Sequence, residues 1–113
     1  DYEVLDTARD ITAFLKSGGE AYVGFCNPLI HDVGESQLDI RRPSGKSYEV
    51  NHTYRKTKKE GGYQITERHR PIEWYERVFT EAGLQVAERI FTPEYKFGGN
   101  IISDFLILRL KKV

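Results

Sequence analysis

Asn27, His31, Tyr54, His69, Arg70 and Trp74 are the residues whose types and positions in this chain suit chemistry on a small molecule. His31, in a stretch with no steady period, is either a base working near neutral pH or an ordinary loop imidazole. Asn27 either hydrogen-bonds a substrate or closes the turn before Pro28. Arg70 offers a planar fork for a carboxylate; the plainer role for His69 and Arg70 is to orient a helix entry and pair with local carboxylates. Trp74 stands off the main apolar stripe of that helix and either packs or lines a pocket. Tyr48, His52, Tyr54 and Tyr63 crowd one segment with rings, which suit an amphiphilic ligand but equally stabilise a hairpin by cross-strand pairing. The three histidines lie far apart in sequence, and Cys26 has no thiol or imidazole neighbour at ligand spacing, so no metal site is expected. No Ser-His-Asp or Cys-His arrangement can be argued from spacing, and no catalytic residue is assigned.

These residues need elements to hold them. Val4, Ala8, Ile11 and Leu15, with Leu5 and Phe14 widening the stripe, predict an amphipathic helix over 2–16 that Ser17-Gly18-Gly19 ends. Ala21–Cys26 reads as a short buried strand closed by Asn27-Pro28, and Gly24 within it suggests a close backbone or ligand. Residues 29–43 read as a loop with at most a helical turn. Two exposed strands, 47–56 and 63–68, flank Lys58–Gly62, where Gly61-Gly62 supplies the positive φ of a hairpin turn. Pro71 then opens a helix whose buried face is Ile72, Tyr75, Val78, Phe79 and Ala82, with Gly83 at its left-handed C-terminal position. Leu84, Val86 and Ile90 alternate with polar residues in a strand. Asp104–Leu110 is a nearly continuous apolar run, read as a final strand covered on both faces.

The order is helix, strand, insertion, helix, strand, strand. The first two core strands run parallel across a right-handed crossover. The last is reversed and more apolar, so the expected spatial order is first, third, second. An insertion of roughly forty residues over 29–68 is far longer than an ordinary connection and is the size of a functional cap.

Composition sets bounds. The chain has 113 residues, enough for one domain with a modest core. Seventeen basic and seventeen acidic side chains cancel, which argues against a nucleic-acid or membrane partner. Arg55-Lys56-Thr57-Lys58-Lys59 reads as a solvated hairpin tip. The single cysteine fits a reducing, cytoplasmic setting and a small core residue at a strand end.

Phe14-Leu15-Lys16-Ser17-Gly18-Gly19-Glu20-Ala21-Tyr22-Val23, the segment His69–Thr92 and the strand Asp104–Lys111 together resemble the C-terminal half of a class I S-adenosylmethionine-dependent methyltransferase. Ser17 stands where that family usually carries proline. The resemblance implies an α/β fold: a partial Rossmann-like sheet of three core strands with the last antiparallel, two flanking helices and a β-hairpin cap. It implies a parent enzyme acting on a small molecule with S-adenosylmethionine and no metal. It also places Asn27, His31 and the cap beyond the carboxyl end of the first strand, where such sheets bind ligands. The family's glycine-rich turn and ribose-binding acid are missing, so the expected chain is a substrate-side half, inactive alone, with no cofactor-binding residues. Its expected partners are the absent N-terminal half and, through an uncovered sheet face or by strand pairing at Ala21–Cys26, a second copy of itself. The competing expectation is a stand-alone, non-enzymatic binding or dimerisation module.

Overall fold

The computed structural model describes residues 2–113, with side chains from Glu3 onward; Asp1, the first residue of the expected single domain, lies outside the described residues. The chain is mixed α/β and forms two compact units. One comprises residues 2–25, 72–90 and 106–113; the other comprises residues 26–71 and 91–105.

The first unit holds α1 (Tyr2–Phe14), α2 (Ile72–Glu81) and the body of a three-stranded sheet: β1 (Glu20–Cys26), β5 (Leu84–Phe91) and β8 (Phe105–Lys112). The strand order is β1-β8-β5, so the last strand lies between the other two. Gly18 N donates to Lys112 O and Asn27 N to Asp104 O, which makes β8 antiparallel to β1. Val113 N to Gly83 O and Thr92 N to Phe105 O set the same relation to β5. Ala8, Ile72, Tyr75, Phe79, Leu84, Leu106, Leu108 and Leu110 form one buried cluster, with Phe25 stacked on Tyr75 at 4.1 Å. Gly83 follows α2 with φ +97°, a conformation open to glycine.

Three expectations for this unit change. Phe14 is 88% exposed and does not join the stripe of α1. The apolar run of β8 is not covered on both faces: Leu106, Leu108 and Leu110 are buried, while Phe105 is exposed and Ile107 half-buried. Both helices contribute to a single core on one face, leaving the other to Tyr22, which is exposed, and to an ionic strap. In that strap Arg109 bonds Glu88 at 3.1 Å and Glu20 at 3.2 Å. Gly24 is not forced by close approach, since a Cβ there would meet Ile107 at an ordinary 3.7 Å.

The second unit holds a 3₁₀ turn (Pro28–Ile30), an antiparallel sheet of β2 (Asp39–Arg42), β3 (His52–Lys58) and β4 (Gln64–His69), and the hairpin β6 (Tyr95–Phe97) with β7 (Asn100–Ile102). The expected cap, 29–68, falls within it. Gly61 (φ +87°) and Gly62 (φ +68°) make the β3–β4 turn as their types require. Strand β2 lies in a segment read as loop, and residues 47–51 precede β3 rather than belonging to it. The strands read as exposed bury one face. Lys56, assigned to a solvated tip, is only 2% exposed.

Candidate functional site

The inward face of the β2–β3–β4 sheet is built from polar residues. Antiparallel register sets Arg41 opposite Lys56, Asp39 opposite Lys58, Tyr54 opposite Glu67 and His52 opposite His69. Alternation turns Asp39, Arg41, His52, Tyr54, Lys56 and His69 to the buried side. Burying charge is costly unless each group is paired, and here they are. Lys56 Nζ lies 3.7 Å from Asp39 Oδ2, 3.6 Å from Glu67 Oε2 and 3.3 Å from Cys26 Sγ, to which it donates. Arg41 reaches Asp39 at 3.4 Å and donates to Ser36 Oγ at 3.0 Å; Lys58 meets Asp39 Oδ1 at 2.7 Å. Burial, then the Glu67 charge, pushes the Tyr54 hydroxyl up to about 12, so it stays a hydrogen-bond donor at neutral pH. The same two causes raise the Cys26 thiol against the pull of Lys56. Cys26 is therefore only half-buried and faces an ammonium, not the apolar core setting its type suggested.

At the end of this face His31, His52 and His69 meet. Ring centroids are 4.3 Å apart for His31–His69, 4.7 Å for His52–His69 and 5.3 Å for His31–His52, with Tyr48 5.5 Å from His69. His52 Nδ1 lies 2.7 Å from Val50 O, and His69 Nε2 lies 2.8 Å from Tyr48 O. A carbonyl only accepts, so those nitrogens carry the protons, and His52 Nε2 is left as a buried lone pair without a partner. Burial lowers the His31 and His69 pKa values below the usual 6.5. For His31 the neighbouring His52 adds to this while Asp32 and Glu49 oppose it; for His69 the Tyr48 carbonyl opposes first and Asp32 last.

The direction of the pH effect follows. Above about pH 6.5 both rings are neutral folded or unfolded, and their contribution to stability is complete. Below it the unfolded chain takes up protons that the folded chain refuses, so stability falls until the lowered folded values are passed. Urea midpoints followed by amide exchange in β3 and β4 are expected to drop between pH 7.5 and pH 5, with His69→Gln flattening that slope. An equal slope in the variant would remove His69 as a source.

A second feature lies at the carboxyl ends of β1 and β5. Asn27, Leu29, Ile30, Phe91, Glu94, Ile101 and Ser103 line an open groove of about 300 Å³. Asn27 caps the 3₁₀ turn: its Oδ1 accepts from Leu29 N at 3.0 Å, and its Nδ2 donates to Ser103 O at 2.9 Å. Its polar groups are thus engaged in closing the turn before Pro28.

The six sequence candidates separate. His31, His69 and Tyr54 share the buried polar face, joined by His52, which sequence reasoning placed only among the ring-forming residues. Asn27 is in the groove. Arg70 follows β4 and is half-buried in the second unit. Trp74 belongs to the first unit, where it packs edge-on against Tyr75 at 5.2 Å and against the apolar cluster. Among the described residues no group of three or more His, Cys, Asp or Glu side chains is arranged to hold a metal ion, and no helix is long and apolar enough to cross a membrane. An S-adenosylmethionine cradle of the family type needs a glycine-rich strand-to-helix turn. The strand-to-helix passages here run through Asn27-Pro28 and Arg70-Pro71 and carry no glycine, so the residues present do not fit that cofactor.

No family model matches the sequence, and no curated protein matches it. Solved structures do match the fold. An S-adenosylmethionine dependent methyltransferase from Listeria monocytogenes is similar at a TM-score of 0.65 and 17% identity, over 96% of this chain and 54% of that one. The CcbJ methyltransferase from Streptomyces caelestis is similar at a TM-score of 0.50 and 15% identity, over 96% of this chain and 52% of that one. The chain therefore spans about half the length of the methyltransferases it resembles in fold.

Proposed function

We propose that this chain is the C-terminal, substrate-side portion of an S-adenosylmethionine-dependent methyltransferase of class I that acts on a small molecule in the cytoplasm. The observation that carries the reading is the near-complete coverage of this chain against half of two methyltransferases. The β1-β8-β5 order, with its reversed central strand, supports reading this sheet as the Rossmann-like half-sheet that the sequence resemblance implies. On this reading an N-terminal half supplies the cofactor site, the chain alone does not transfer methyl groups, and the insertion over 29–68 is the cap that shapes the acceptor site. The sheet face bearing Tyr22 and Ile107, or the strand edge at Ala21–Cys26, is then the surface through which the chain, without that half, pairs with a second copy.

Calorimetric titration of S-adenosylmethionine tests this. The 113-residue chain is expected to give no heat of binding, and a longer polypeptide carrying a glycine-rich strand–turn–helix half before it is expected to bind. Micromolar binding by the 113 residues alone, or none by the longer chain, would overturn the reading.

A further inference from the structure

We propose that the groove beyond β1 and β5 binds a small organic cation, an amine or alkylammonium with an apolar body, using Glu94 as its counter-charge. The proposal rests on the reading of this chain as the substrate side of a transferase, and names the chemical class of molecule that side accepts.

The lining decides the class. Leu29 is 53% exposed, Ile101 63% and Phe91 37%, three large apolar side chains brought to one groove and left open to water. Apolar surface gathered in a concavity is the usual wall of a ligand site. A groove of about 300 Å³ is at the small end of such sites, which limits the ligand to roughly a dozen non-hydrogen atoms. The polar atoms of Asn27 are already engaged within the turn. Glu94 is the one charged residue of the lining, and no Lys, Arg or His stands beside it there. An anion would meet only Glu94 and be repelled. A neutral apolar ligand would take water from the Glu94 carboxylate and return nothing. A cation with an apolar body satisfies both, and the Phe91 ring adds the attraction of an aromatic face for a positive group.

The walls are held in place before any ligand arrives. Tyr95 Oη donates to Asp104 Oδ1 at 2.9 Å and accepts from Gln37 N at 3.1 Å, which fixes the β6–β7 hairpin that carries Ile101. Thr92 N donates to Phe105 O at 3.0 Å, and Phe105 N donates to Thr92 Oγ1 at 3.0 Å, which fixes the segment between Phe91 and Glu94. Preformed walls reduce the ordering cost of binding a small ligand.

The test is calorimetric titration of the chain with benzyltrimethylammonium, its uncharged carbon isostere and phenylacetate. The cation is expected to bind, the isostere more weakly and phenylacetate not measurably. Glu94→Gln is expected to weaken the cation about fivefold and to leave the isostere unchanged, as removal of one exposed counter-charge does. Ile101→Ser is expected to weaken both. Glu94 and Ile101 are exposed, so both variants are expected to keep the parent thermal midpoint. Equal binding of the cation by Glu94→Gln, or phenylacetate binding as tightly as the cation, would overturn the proposal. The result is independent of S-adenosylmethionine: a longer polypeptide that fails to bind the cofactor sinks the transferase reading and leaves the cation result standing.

Discussion

Asp39→Ala is expected to destabilise the β2–β3–β4 sheet by about 3–5 kcal/mol, the loss typical when one partner of a buried ionic group is removed. Asp39 lies at the centre of three cations, Arg41, Lys56 and Lys58, and is itself almost fully buried. Without its carboxylate, Lys56 keeps Glu67 as an ionic partner, and Arg41 keeps the neutral Ser36 and Tyr54 hydroxyls but loses its carboxylate partner on this face. Exchange of the β3 and β4 amides under native conditions reads this directly, because their opening free energy is the stability of the sheet. Asp39→Asn, which keeps the shape and loses the charge, is expected to fall between the parent and the alanine variant. Loss of less than about 1 kcal/mol in Asp39→Ala would mean that water reaches Lys56 and that the face is not sealed.

Phe79→Ala is expected to cost about 3–5 kcal/mol in the first unit, for a different reason. Phe79 is 1% exposed and packs with Ile72, Tyr75 and Leu84 in the cluster that also contains Leu106 and Leu108. Its deletion removes apolar burial and leaves a cavity that the β8 leucines cannot easily fill. Trp74 is the chain's only tryptophan and packs on the same cluster, so its fluorescence during urea unfolding follows this unit. A midpoint within error of the parent would show that α2 is held by something other than its buried face. The two variants also separate two kinds of interior. One unit is closed by apolar contact, the other by matched charge.

That difference explains what the sequence could and could not reveal. The first unit was legible because polarity and burial agree there: Ile72, Tyr75 and Phe79 recur at helical spacing, Leu84 and Val86 alternate, and Gly83 marks the helix end. The β2 strand was not legible because its pattern is inverted. Ile40 points outward, 47% exposed, and the inward residues are Asp39 and Arg41. Lys56 was misplaced on the same ground, since a lysine among lysines and arginines reads as solvated. One signal was within reach. A hairpin turning at Gly61-Gly62, with Lys58 N bonded to Tyr63 O, puts His52 opposite His69 and Tyr54 opposite Glu67 by counting alone. The meeting with His31 was beyond such counting, because it depends on the turn that Asn27 caps. The β6–β7 hairpin follows the same rule as the first, with Gly98 and Gly99 both at positive φ.

The central position of β8 has a consequence for how the chain comes off the ribosome. The strand that joins β1 to β5 is made after both of them, and Lys112 Nζ donates to Thr12 O and Leu15 O at the end of the first helix. The β2–β3–β4 sheet has all its strands within 39–69 and can close while synthesis continues. β1 and β5 cannot; each waits with an unpaired edge until β8 has been made. β1, made before the β2–β3–β4 sheet, is thus secured after it, and its strand edge stays open to wrong partners until β8 follows.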